Sequence, residues 1–132
     1  MKQLDYKKLK YGVNILKHDY YGFKKLRGAI AQLVFPKGTR VMKSSSFIKG
    51  RCRYKLRSDQ AITIMLVPFG PYFVRYKTLE KKTYKSILYS HKLKSTYRLG
   101  KKITPNHLNT YINESCGGGI HFFCTLKEAE NY

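Results

Sequence analysis

An α+β domain whose sheet is mainly antiparallel is the fold this sequence predicts, on three observations. Its apolar runs are short and rich in β-branched and aromatic residues, as in Ala29-Ile30-Ala31-Gln32-Leu33-Val34-Phe35 and Ala61-Ile62-Thr63-Ile64-Met65-Leu66-Val67. Turn signals such as Pro36-Lys37-Gly38, Asp59-Gln60 and Pro68-Phe69-Gly70-Pro71 fall between the runs. Helix signals are confined to the N-terminal side and the C-terminal end. At 132 residues the chain fits one domain that buries its own core without metal or disulfide support.

Residues 1–28 mix Lys, Tyr and Gly around small apolar groups. Leu9, Val13 and Leu16 keep helical spacing, but Gly12 interrupts them and no N-cap precedes them. The segment therefore reads as a basic arm or short helical segment, set apart from a single α+β domain over residues 29–132. The first residues alternate charged and apolar side chains, so no signal peptide is expected. No run approaches the roughly 18 apolar residues of a membrane span, so no membrane insertion is expected. Three cysteines cannot all pair within one chain, which favours reduced thiols.

Residues 29–35 form the first strand, and residues 39–43 its return partner. Over residues 51–58 the alternation is strict, and a strand follows. Residues 61–67 are the central strand, with residues 72–76 returning beside it as a hairpin. Residues 83–89 and 95–99 are further short strands, the latter ended by a turn at Gly100-Lys101-Lys102. Thr104 as N-cap and Pro105 at the first helical position start a short helix through Leu108 and Ile112. Gly117-Gly118-Gly119 is a hinge before a core strand, residues 120–124. Thr125 and Glu128 form a capping box for a helix that begins at Leu126. The expected sheet has five to seven strands.

Charge is the outlier: 27 Lys and Arg against 7 Asp and Glu, a formal +20. Solubility asks a small domain for a net charge of only about 2 to 8 in magnitude. The excess points to a polyanion or an acidic partner. On a strand of period two, Arg51, Arg53, Lys55 and Arg57 share one face while Cys52, Tyr54 and Leu56 share the other. Such a stripe spreads over about 20 Å, a span of several phosphates. A second block, Lys81, Lys82, Lys85, Arg98, Lys101 and Lys102, falls on strand edges and turns. The structural alternative is an edge strand that uses cations against aggregation. Tyrosines interleaved with the cations, as at Tyr54-Lys55 and Tyr97-Arg98, suit stacking on single-stranded nucleic acid and equally a protein interface.

Signals for chemistry are weaker. Cys116, His121 and Cys124 supply three candidate ligands where structural zinc takes four, and no metal is expected. Cys116 with His121 as base and Glu114 as orienter has the residue types of a thiol nucleophile, but catalytic dyads are assembled from distant segments. The glycines lack the Lys-Ser/Thr that follows a phosphate-binding loop, and a tight turn explains them more simply. No cofactor is expected.

The pattern Cys116-x-x-Gly119-Ile120-His121-Phe122-Phe123-x-Thr125-x-x-Glu128-Ala129-x-x-Tyr132 resembles a C-terminal module in uncharacterised proteins of nucleocytoplasmic large DNA viruses, giant viruses of amoebae among them. Looser matches extend upstream through residues 97–101 with Pro105, residues 50–53 with Ala61, and residues 33–36. Gly117-Gly118 stands where that family has a short polar residue after the cysteine, and Leu126-Lys127 replaces an Arg-containing pair. The resemblance implies a viral origin and a compact fold, and it transfers no catalytic residue. Cys116, Gly119, His121, Phe122, Phe123, Thr125 and Glu128 are expected to be structural.

The function expected from these readings is non-enzymatic binding of a polyanion, nucleic acid first, by a basic viral protein of the virion or host cytoplasm. One alternative is a minor capsid or cementing protein that meets acidic virion proteins. The other is an enzyme that uses Cys116 and His121.

Overall fold

The structure, a computed structural model, describes residues 1–44, 53–69, 83–85, 96–105, 108 and 118–132. The described strands are, in order, β1 (Lys2–Gln3), β2 (Gly12–Ile15), β3 (Tyr20–Leu26), β4 (Ala29–Phe35), β5 (Arg40–Lys43) and β6 (Leu56–Ser58). They continue as β7 (Ala61–Pro68), β8 (Thr83–Lys85), β9 (Thr96–Arg98), β10 (Lys102–Ile103) and β11 (Ile120–Phe122), before one helix, α1 (Leu126–Glu130).

Alternating apolar residues and a glycine turn build the first hairpin. β3 and β4 pair antiparallel from Tyr20 opposite Phe35 to Leu26 opposite Ala29, and the two-residue turn uses Gly28 at φ 86°. β7 adds to the other side of β4 with an irregularity at Gln32/Leu33, and β10 adds to β7. β1 lies parallel to β3, giving a five-stranded sheet in the order β1-β3-β4-β7-β10. A second sheet, wholly antiparallel, runs β11-β6-β5-β2, and β8 with β9 makes a separate ribbon. The expected mainly antiparallel sheet with a C-terminal helix is thus what forms.

The two sheets meet along β3. Beyond β1, Phe23 and Phe123 exchange both backbone hydrogen bonds at 2.7 Å each, so the end of β11 covers the edge that β1 leaves open. Gly22 makes this approach possible, because a Cβ there would stand 2.9 Å from the Phe123 carbonyl and 3.0 Å from the Phe122 ring. The main core gathers Leu26, Leu33, Phe35, Val41, Leu56 and Phe122, with the Phe35 and Phe122 rings 4.2 Å apart. A smaller cluster of Ile30, Phe123 and Ala129 lies under α1. The capping box of α1 forms as expected: Glu128 N donates to Thr125 Oγ1 and Thr125 N donates to Glu128 Oε1, both at 3.2 Å.

Several expectations are corrected. Residues 1–28 are no arm or helix; they supply β1, β2, β3 and one 3-10 turn, Tyr6–Lys8, capped by Asp5. The strand period of β3 is present but disguised, because its buried positions are Gly22, Lys24 and Leu26. Residues 40–43 do not return beside β4; they cross to the second sheet and pair with β2 and β6. β4, not β7, is the middle strand of its sheet, and β7 leaves Ile64, Met65 and Val67 exposed. Neither Thr104 nor Pro105 is helical; of the rest of that expected helix only Leu108 is described. The expected hairpin return at residues 72–76 lies outside the described residues. Among the described residues no helix is long and apolar enough to cross a membrane.

Candidate nucleic-acid interface

The predicted stripe of four exposed cations does not exist as such. Lys55 and Arg57 are 2% and 0% exposed, and the strand begins only at Leu56, so Leu56, Arg57 and Ser58 are all buried. The reason is topological: β6 sits between β5 and β11, and the C-terminal segment covers the face that alternation assigned to solvent. Arg57 Nη1 donates to the Gly118 carbonyl at 3.0 Å, and Lys55 Nζ donates to the Tyr132 hydroxyl at 3.2 Å. From β3, Lys24 Nζ reaches the His121 carbonyl at 2.8 Å and Lys25 Nζ the Glu130 carbonyl at 3.3 Å. Four basic side chains therefore hold residues 118–132 by their oxygen atoms. Gly119, at φ 127°, threads past Arg57, since a Cβ there would lie 3.1 Å from Arg57 Cβ. The resembling C-terminal residues Gly119, His121, Phe122, Phe123, Thr125 and Glu128 all serve this docking or the cores beside it.

Burying Lys24 has a consequence for pH. Desolvation first, and the nearby Lys55 charge second, lower its ammonium from 10.5 to about 7. Between those values the unfolded chain holds a proton the folded chain has lost, so stability rises with pH by up to about 1.4 kcal/mol per unit. Burial acts oppositely on two acids, pushing the Cys124 thiol from 9.0 up to about 12 and the Tyr97 hydroxyl above 10.0. The unfolded chain gives up those protons first, the thiol from about pH 9 and the phenol from about pH 10, so the rise levels off above about pH 9 and stability falls above about pH 10. Thermal melts should reach their maximum between about pH 9 and 10, and Lys24→Met should remove the rise from about pH 7. A flat profile in the unaltered protein would mean that Lys24 is not buried as a titrating group.

The remaining predicted cations scatter. Arg53 is exposed beside Tyr54, and Arg98, Lys101 and Lys102 are exposed around a turn with Gly100 at φ 76°. That turn leads into β10, the edge strand farthest from β1 in the five-stranded sheet. Lys85 lies in β8 opposite Thr96. Arg51, Lys81, Lys82 and Cys116 lie outside the described residues. Among the described residues no three His, Cys, Asp or Glu are grouped to hold a metal ion. Cys124 is 2% exposed, and its thiol is held protonated by burial, the opposite of an activated nucleophile.

A basic cleft that the sequence did not disclose lies on the N-terminal side. Its volume is about 830 Å³, and Lys2, Lys8, Lys10 and Lys17 line it, with Asp5 as the acidic residue among them. Leu4, Leu9, Val13 and Leu16 supply apolar lining, and His18 and Tyr20 line it as well. β1, the 3-10 turn and the chain from β2 into β3 bring these residues together. Its lysines are exposed, in contrast to the buried Lys24 and Lys55.

Beside the cleft stands a pinned aromatic group. Lys43 Nζ, from the end of β5, donates to the Tyr6 and Leu9 carbonyls at 3.0 Å each. It lies 4.1 Å from the Tyr6 ring centre and 4.7 Å from that of Tyr11. Tyr6 meets Tyr54 edge to face at 5.3 Å, and the Arg53 guanidinium lies 5.0 Å from the Tyr54 ring. The signal for this region was in the sequence, as Lys and Tyr crowded into the first twenty residues, but without β3 recognised there was no scaffold on which to place it.

Fold and site together define a basic, β-rich domain whose interior cations fix its C-terminal segment and whose exposed lysines border an N-terminal cleft. Residues 13–129 match the family of unknown function DUF5758, and the chain belongs to that family. No curated protein and no solved structure matches it. The matched span holds both sheets but for β1 and the first residue of β2; residues 1–12, with Lys2, Lys8 and Lys10 of the cleft, precede it.

Proposed function

We propose that this protein is a non-enzymatic binder of polyanions, with nucleic acid as its ligand, and that the N-terminal cleft is its principal site. The observation that carries the reading is the cleft itself: four exposed lysines around one aspartate, on a chain of formal charge +20. Phosphates are met there by flexible ammonium groups that keep their stems on apolar side chains. The resemblance of the C-terminal module to proteins of large DNA viruses supports a viral setting in this proposal, with the packaged genome or nucleic acid of the infected cytoplasm as the ligand.

The test is fluorescence anisotropy with a labelled oligonucleotide over a salt series. Four phosphate contacts on a single strand give a slope of log K against log salt near about −2.8, or roughly fiftyfold weaker binding from about 50 to about 200 mM. Absence of binding at the low end would overturn the reading and favour a structural protein that meets acidic partners in the particle.

A further inference from the structure

We infer that the ligand is single-stranded nucleic acid whose bases stack on Tyr11 and Tyr54 while its phosphates follow the lysine cleft. The inference rests on the proposed function and specifies its ligand. Tyr11 is 51% exposed and Tyr54 38%, although both are large aromatics. They project from the same end of the second sheet: Tyr11 precedes Gly12, which pairs with Lys43, and Lys43 pairs in turn with Leu56, two residues after Tyr54. Their strands are two spacings apart, about 10 Å. Tyrosines spaced across an open sheet make a platform for unpaired bases, each stack being sequence-tolerant because every base has a π-face.

The platform is held in place before any ligand arrives. Lys43, itself 5% exposed, ties down the loop that carries Tyr6 and Tyr11 through two carbonyls. The Tyr6 hydroxyl donates to the Arg53 carbonyl at 3.3 Å and its ring props Tyr54 from the side. Ordering is therefore not charged to binding. The same loop turns Lys8 and Lys10 to the cleft and leaves Tyr11 exposed, so one short segment offers both phosphate and base contacts. A duplex keeps its base faces stacked and has nothing to lay on these rings. An acidic peptide would satisfy the lysines but makes no general use of stacking.

Binding of a labelled oligothymidylate and of a hairpin duplex with as many phosphates should be measured on the full chain, with Y11A, Y54A and the corresponding Phe variants. The strand should bind more tightly than the duplex. Each Ala variant should lose about tenfold or more on the strand, with the salt slope kept and the Phe variants near the unaltered protein. Both rings are exposed, and circular dichroism of each variant checks that the sheet is retained; Y11A alone decides if Y54A does not fold. Equal affinity for strand and duplex, or an Ala series without effect while salt-dependent binding persists, would overturn this inference and leave the proposed function standing. Failure of the unaltered protein to bind either probe at low salt, with retention of an acidic peptide, would overturn both.

Discussion

Phe122→Ala should destabilise the protein by about 3 to 5 kcal/mol, measured as a lower urea midpoint with an unchanged slope. The ring is fully buried, lies 4.2 Å from Phe35 and reaches the space that Gly22 leaves for it. With neighbours from both sheets around the ring, the gap can close only by moving β3 against β11. Domains of this size are stable by about 5 to 15 kcal/mol, so a fifth or more of the total is at stake. Phe123 is buried too, but in the smaller cluster with Ile30 and Ala129. A loss under about 1 kcal/mol for Phe122→Ala would contradict the packing of the two sheets through β11.

Arg57→Ala should cost a similar amount, about 3 to 5 kcal/mol, although arginine is ordinarily a surface residue. Two losses combine: the volume of a fully buried side chain, the largest such among the described residues, and the donor to the Gly118 carbonyl. Arg57→Met keeps most of the volume and should recover part of the loss, because a buried cation also carries a desolvation penalty. Arg53→Glu, on the exposed side of the same segment, should stay within about 0.5 kcal/mol. Equal, small effects at both positions would return Arg57 to the solvent face that simple alternation assigned to it.

That contrast shows what was legible in the sequence and what was not. β4, β7, β11 and the Thr125–Glu128 capping box were readable because their signals are local: apolar runs, turn residues and a three-residue spacing. β3 was not readable, since its inward positions are a glycine that makes room for Phe122 and a lysine that reaches the His121 carbonyl. Residues 51–58 were assigned one wet face because alternation reports the period of a strand and is silent on what covers it. A docked C-terminal segment covers Lys55 and Arg57 here. The cleft was out of reach for a related reason: its lysines are spread over β1, the 3-10 turn and the chain into β3, and only the fold brings them to one place.

Paired charge reversals at opposite edges of the five-stranded sheet test the central claim most directly. Lys2 and Lys17 line the cleft beside β1, whereas Arg98 and Lys101 flank the turn before β10, and all four are exposed. Reversal of Lys2 and Lys17 to Glu should flatten the salt slope of oligonucleotide binding by about 1.4 units, two contacts' worth on a single strand. Reversal of Arg98 and Lys101 changes net charge equally and should leave the slope near that of the unaltered protein. Equal flattening by both pairs would show diffuse attraction to a highly charged surface, and the cleft would not be the site.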